Sequence, residues 1–227
     1  MNELLFFFHI AITILFAFVA LKLGKLALVA WIAIQTVMAN LFVIKQMEFL
    51  GFTITCSDVF AIGSILGLNL LQEYYGKECA KKALWTCLFI MVFFVAMGQI
   101  HLLYSPSPFD TAQEAFHAIL SATPRLLIAS MGVFFIVQQL DLRLFSILRQ
   151  RLNLPLALRN AASISITQLL DTVLFSIFGL WGLVASLSDV ILISFLVKLC
   201  ILICLTPISA FSKRFLPRQI GSSDERF

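Results

Sequence analysis

The chain has 227 residues, 61% of them hydrophobic and only 12% charged, with 23 phenylalanines. Soluble domains carry about twice that share of charge, so a soluble globular protein is excluded. The net charge of +4 comes from residues scattered through loops rather than gathered on one face, which argues against nucleic acid as a partner. What remains is a polytopic membrane protein whose bilayer partner is written into its composition, an all-α bundle of apolar helices.

Seven spans are expected, at about Leu4–Leu21, Leu26–Ile44, Phe52–Tyr75, Ala83–Leu103, Pro124–Leu144, Asn160–Leu180 and Ser188–Ala210. The first lacks a basic flank and a clear cleavage site, so it reads as a retained helix rather than a signal peptide. Between the fourth and fifth lies the longest break, Tyr104–Thr123, where Ser105-Pro106-Ser107-Pro108 stops the helix. Asp110–Leu120 within it reads as a short surface helix with Ala112, Phe116, Ile119 and Leu120 on or near one face. Cys56, Cys79, Cys87, Cys200 and Cys204 form no CxxC pair and no metal set, and they read as small apolar side chains.

Charge orients the bundle. Of the 16 basic residues, all but Lys45, Arg125 and Lys198 fall in alternate connections or the tail. These are Lys22 and Lys25, Lys77 to Lys82, Arg143 to Arg159, and Lys213 to Arg226. The positive-inside rule then puts the amino terminus outside and the carboxyl terminus in the cytoplasm.

Polar residues inside the spans are the functional candidates, because ionisable groups there face the protein interior and mark pathways. In the second span Thr36 and Asn40 share a face, with Gln35 beside them and Lys45 just beyond. In the third, Asn69, Gln72 and Glu73 cluster at i, i+3 and i+4, while Asp58 is expected at the outer interface. Glu73 has a local alternative partner in Lys77. Arg125 opens the fifth span, and Gln138, Gln139 and Asp141 close it. The sixth carries a continuous stripe of Asn160, Ser163, Thr167 and Asp171, with Gln168 and Thr172 alongside. Asp171 has no cation one turn away on its own helix, so its charge needs another helix, a proton or a ligand. Lys198 stands near the middle of the seventh span, and pairing with Asp171 or with Glu73 is expected.

These residues carry a resemblance. The chain resembles the queuosine precursor transporter family, also described as vitamin uptake transporter-like, over about Ala30 to Pro207. The matching features are Asn40 with Lys45; Asn69, Glu73, Tyr75-Gly76 and Lys81-Lys82; Arg125 with Gln138, Gln139, Asp141 and Phe145; Gln168, Asp171, Thr172 and Phe175; and Lys198. Two departures stand out: Asn69, where many members have Asp, and the first span, because the family core reads as six helices. The resemblance therefore implies one domain over residues 1–227, a six-helix core plus an extra N-terminal transmembrane helix, in a bacterial inner membrane. It implies import of queuine or of related 7-deazaguanine bases, and it leaves a homodimer open.

A guanine-type face offers two N–H donors beside a carbonyl acceptor, and a carboxylate can accept both donors. The expected substrate contacts are Asp171 or Glu73 on the donor edge, and Gln168, Asn40 or Asn69 on the acceptor side. Tyr75, Phe175 or Trp181 are expected to stack, with Arg125 and Lys198 as the remaining site residues. No phosphate-binding loop is present, so the chain carries no ATPase of its own, and no cofactor is expected. The alternative is a substrate-binding membrane subunit of an energy-coupling vitamin importer. An intramembrane enzyme would need a nucleophile–base pair or a metal set, and no histidine sits in a polar stripe to supply one.

Overall fold

The computed structural model describes residues 1–151 and 156–199, without the side chains of 135, 138–139 and 141–164. The helices are α1 (Asn2–Leu23), α2 (Lys25–Phe42), α3 (Asp58–Tyr75), α4 (Lys77–His101), α5 (Gln113–Leu120), α6 (Thr123–Arg151) and α7 (Leu156–Phe175). A final helix, α8, covers residues 187–199. Among the described residues a helix lies within each of the seven expected stretches, the seventh followed only as far as residue 199. Four helical segments among the described residues are long and apolar enough to cross a membrane: Asn2–Leu23, Lys25–Phe42, Lys77–His101 and Gln113–Phe134, the last running from α5 into α6. Phe7, Phe8, Trp85, Phe89, Phe93 and Ile128 point outward from α1, α4 and α6. An outer face of this kind needs lipid rather than water around it, so the molecule is a polytopic membrane helix bundle.

Helices α1 to α4 pack on one another around Ala17, Leu21, Leu28, Ile32, Leu66, Leu70, Leu71 and Ala83, which are all buried. Small residues set the closeness. A Cβ added at Gly67 would come within 2.5 Å of Ile32 Cγ1, and one at Gly63 within 2.8 Å of Gln35 Cδ. The two glycines lie four apart on α3, the spacing at which a flat helix face lets a second backbone approach in lipid. Helix α6 pairs with α7 and touches α2 and α4, which joins the second half of the chain to the first.

One expected element is corrected. The stretch from Phe52 does not open the third span: Gln46–Phe49 (β1) and Phe52–Thr55 (β2) form an antiparallel hairpin, and α3 starts only at Asp58. Met47 faces Ile54, Phe49 faces Phe52, and Leu50-Gly51 makes the turn with φ of 52° and 83°. Positive φ at both central residues is the I′ geometry whose twist matches that of the strands. The strand-favouring segment Phe-Thr-Ile-Thr, one aromatic and three β-branched residues, thus overrides the reading of an apolar run as helix. The hairpin is tied down on several sides. Asn2 Nδ2 donates to Glu48 O at 2.9 Å, and Leu50 N–H to Glu3 Oε1 at 3.3 Å. Thr53 N–H donates to Asp189 Oδ2 at 3.1 Å, and Ala185 N–H to Gln46 Oε1 at 2.7 Å. Its apolar face packs with Phe6, Val59 and Ile193.

The break after α4 carries its short helix at Gln113–Leu120, beginning later than Asp110. Gln99 Nε2 donates to Leu120 O at 2.8 Å and fixes it against α4. Pro124 lies in the first turn of α6, as expected of a residue with no N–H to lose there.

Candidate functional site

The polar residues converge where α3, α7 and α8 meet. Lys198 on α8 donates to Asp171 Oδ2 at 2.9 Å and to Thr172 Oγ1 at 3.1 Å, both on α7. Of the two partners open to Lys198 in the sequence, the structure gives Asp171. The pair is partly shielded, with side-chain exposures of 17% for Lys198 and 36% for Asp171. Thr172 returns its own hydroxyl hydrogen to Gln168 O at 2.8 Å, so its oxygen is oriented to receive the ammonium. Thr167, one turn before Asp171, is buried on the same helix.

A second acidic group joins from α3. Asp58, expected at the outer interface, is instead 7% exposed. Ser194 Oγ lies 2.9 Å from each of its carboxylate oxygens. Ser194 and Lys198 are four apart on α8, so one face of that helix serves both carboxylates. Thr55, the last residue of β2, and Ser57, just before α3, are both buried and share a hydrogen bond at 2.8 Å. The hairpin explains the burial: it carries the chain back into the bundle before α3 begins, so the first turn of α3 lies beneath protein. The Ser194/Lys198 spacing was a visible signal for this group; the position of Asp58 was not.

The remaining site residues fall elsewhere. Gln168 is half-buried one turn before Asp171. Phe175 lies one turn after it, its ring over Gly179, where a Cβ would come within 3.1 Å of Cε2. Beyond Phe175 the helix widens to a π segment, Ser176–Leu180. Arg125 Nε donates to Phe178 O in that segment at 3.0 Å, which ties the start of α6 to the end of α7. Asn40 is held inside the first four helices, donating to Thr36 O at 3.1 Å and lying 3.8 Å from Met91 Sδ. Asn69, Gln72 and Glu73 are on an exposed face near the other end of α3. Glu73 lies about 22 Å along the helix from Asp58 at the usual rise per residue. Tyr75 packs with the α1–α4 core near Ala80 and Leu71. Trp181 is exposed. The third-span cluster and the Asp171 pair are therefore two separate polar levels of the molecule, not one pocket.

Gln138, Gln139, Asp141, Phe145, Asn160 and Ser163, and the tail from Cys200 onward, lie outside the described side chains. Among the described residues no three His, Cys, Asp or Glu side chains are grouped to hold a metal ion.

Residues 55–211 match the family model described as "Putative vitamin uptake transporter". A relative from Bacillus subtilis (strain 168), named "Probable queuosine precursor transporter", is 29% identical over 204 residues, covering 88% of this chain and 89% of that protein. No solved structure matches.

Proposed function

Since this chain belongs to the vitamin uptake transporter family, and its role is accordingly non-enzymatic, we propose that it imports queuosine precursors, queuine or a related 7-deazaguanine base, across the bacterial inner membrane. The name of the Bacillus relative supports the substrate class. The observation that carries the site is the ion pair between Asp171 and Lys198 inside the bundle. In this reading Asp171 accepts the two adjacent N–H donors of the guanine-type edge. Gln168, three residues before it, offers an amide to the neighbouring carbonyl, and the Phe175 ring, one turn on, covers the base. Arg125 braces α6 against α7 at the outer end. Asn40 sets the packing of α2, and Asn69, Glu73 and Tyr75 line the inner level.

The same reading has seven helices crossing the bilayer, six of them a common core and α1 an addition. The amino terminus is outside and the carboxyl terminus cytoplasmic, as the placement of the lysines and arginines supports.

Uptake of labelled queuine, and of its aminomethyl and cyano precursor bases, in cells lacking their own carrier tests the proposal. Asp171→Ala is expected to lower uptake by about tenfold or more, the worth of a charged hydrogen-bond acceptor, at unchanged membrane abundance. Wild-type uptake by that variant overturns the site. Repeating the assay with a protonophore separates coupled from passive import.

A further inference from the structure

Two carboxylates meet one face of α8, at Lys198 and one turn earlier at Ser194, and the proposed substrate site uses one. Asp171 holds the ammonium at 2.9 Å. Asp58 lies against the same helix one turn earlier, where, among the described residues, its oxygens receive a single hydroxyl, that of Ser194. One hydroxyl hydrogen leaves most of the acceptor capacity of a carboxylate unused. Asp58 also opens α3, where unpaired backbone N–H groups favour a negative charge. A buried anion with spare acceptor sites thus faces the helix that carries Lys198, one turn from where Lys198 is rooted.

Substrate capture at Asp171 needs such a place. While Lys198 occupies Asp171, a donor edge can take the carboxylate only by displacing the ammonium. A displaced ammonium inside an apolar bundle is strongly disfavoured unless another counter-charge receives it. Lysine is suited to the exchange, because its charge is a compact point on a flexible four-carbon stem. We propose that Asp58 is the alternate seat of Lys198: substrate takes Asp171, the ammonium crosses to Asp58, and it returns when substrate leaves. This rests on Asp171 being the substrate carboxylate. No bond forms or breaks and no proton moves. Asp58 touches no substrate; it is a positioning residue that sets how readily Asp171 is released.

The test is equilibrium binding of queuine to the purified full-length protein in lipid nanodiscs. Asp58→Asn removes the receiving charge, so Lys198 stays on Asp171 and binding weakens on the order of tenfold, within the usual range of couplings between sites. Adding Lys198→Met to that variant removes the ammonium altogether and restores binding to the wild-type level or tighter. A merely structural Asp58 gives the opposite order, with the double variant no better than the single one, and that result overturns the inference. So does wild-type affinity in Asp58→Asn. If Asp58→Asn fails to fold, Ser194→Ala decides: it frees Asp58 to hold Lys198 more strongly and tightens substrate binding several-fold, whereas unchanged or weaker binding overturns the inference. Failure of the wild-type protein to bind queuine or either precursor base removes the reading of Asp171, and this inference with it.

Discussion

The Asp171–Lys198 pair makes a quantitative demand on stability. At 2.9 Å and an effective dielectric near 20, the gross attraction is about 6 kcal/mol. Most of it is offset by lost hydration, which costs several kcal/mol per ion. The pair is therefore worth little against two neutral side chains of similar size, while half of it is worse than none. Removing one partner of a fully buried pair costs about 3–5 kcal/mol. Asp171 is 36% exposed, so screening reduces the figure here to about 2–3 kcal/mol. Lys198→Met and Asp171→Asn are each expected to lower Tm by roughly 4–10 °C for a chain of this size. The double variant is expected to recover to within about 1 kcal/mol of wild type. Thermal unfolding of the four proteins in the same detergent measures the cycle. Additive losses would refute the coupling, and with it the claim that the two charges hold each other inside the bundle.

Two further outcomes follow from the packing and the charge pattern. Gly67→Ala places a methyl 2.5 Å from Ile32 Cγ1. The overlap outweighs the gain in helix propensity and destabilises by about 1–2 kcal/mol; Ile32→Ala in the same chain should return at least half of the loss relative to Ile32→Ala alone, and no rescue in thermal unfolding would contradict the close approach of α2 and α3. For the orientation, single cysteines replacing Glu48 and Ser107 in a cysteine-free background should react with an impermeant maleimide in intact cells. A cysteine replacing Lys81 should react only after permeabilisation, and the reverse pattern would invert the topology.

Much of this arrangement was legible in the sequence because lipid imposes a simple grammar. An apolar stretch long enough to span is a helix, since its backbone must satisfy itself, and α1, α2 and α4 follow that rule closely. The stripe through Thr167 and Asp171 also pointed inward, because a carboxylate without a cation on its own helix has to find one elsewhere. What hid the rest was competition between two readings of one apolar run. Phe42 to Ile62 is greasy enough to be taken as two helix ends, and the four-residue strands within it are too short for period alone to reveal. Missing the hairpin placed Asp58 at the surface, and that in turn hid its meeting with Ser194. Glu73 shows a different limit: its i, i+4 neighbours do share one face, which is exposed, but periodicity says which residues share a side and not what that side looks upon.

Gly24 is the sole residue between α1 and α2, and Gly76 the sole residue between α3 and α4. Their φ values of 110° and 86°, with ψ of −179° and 165°, belong to a region that is essentially glycine's alone. With a Cα–Cα step of about 3.8 Å, neither joint lets the two helix ends it connects draw apart. Each pair is a V whose vertex is pinned, and both vertices lie on the side that carries Lys22, Lys25, Lys77, Lys81 and Lys82. The opposite side joins its helices through longer connections, the hairpin between α2 and α3 and the loop after α4. Kinematically, then, the first four helices are two stiff levers. Any passage that opens at the lysine-bearing side has to swing the levers away from each other, or away from α6, α7 and α8, because neither lever can split at its own tip.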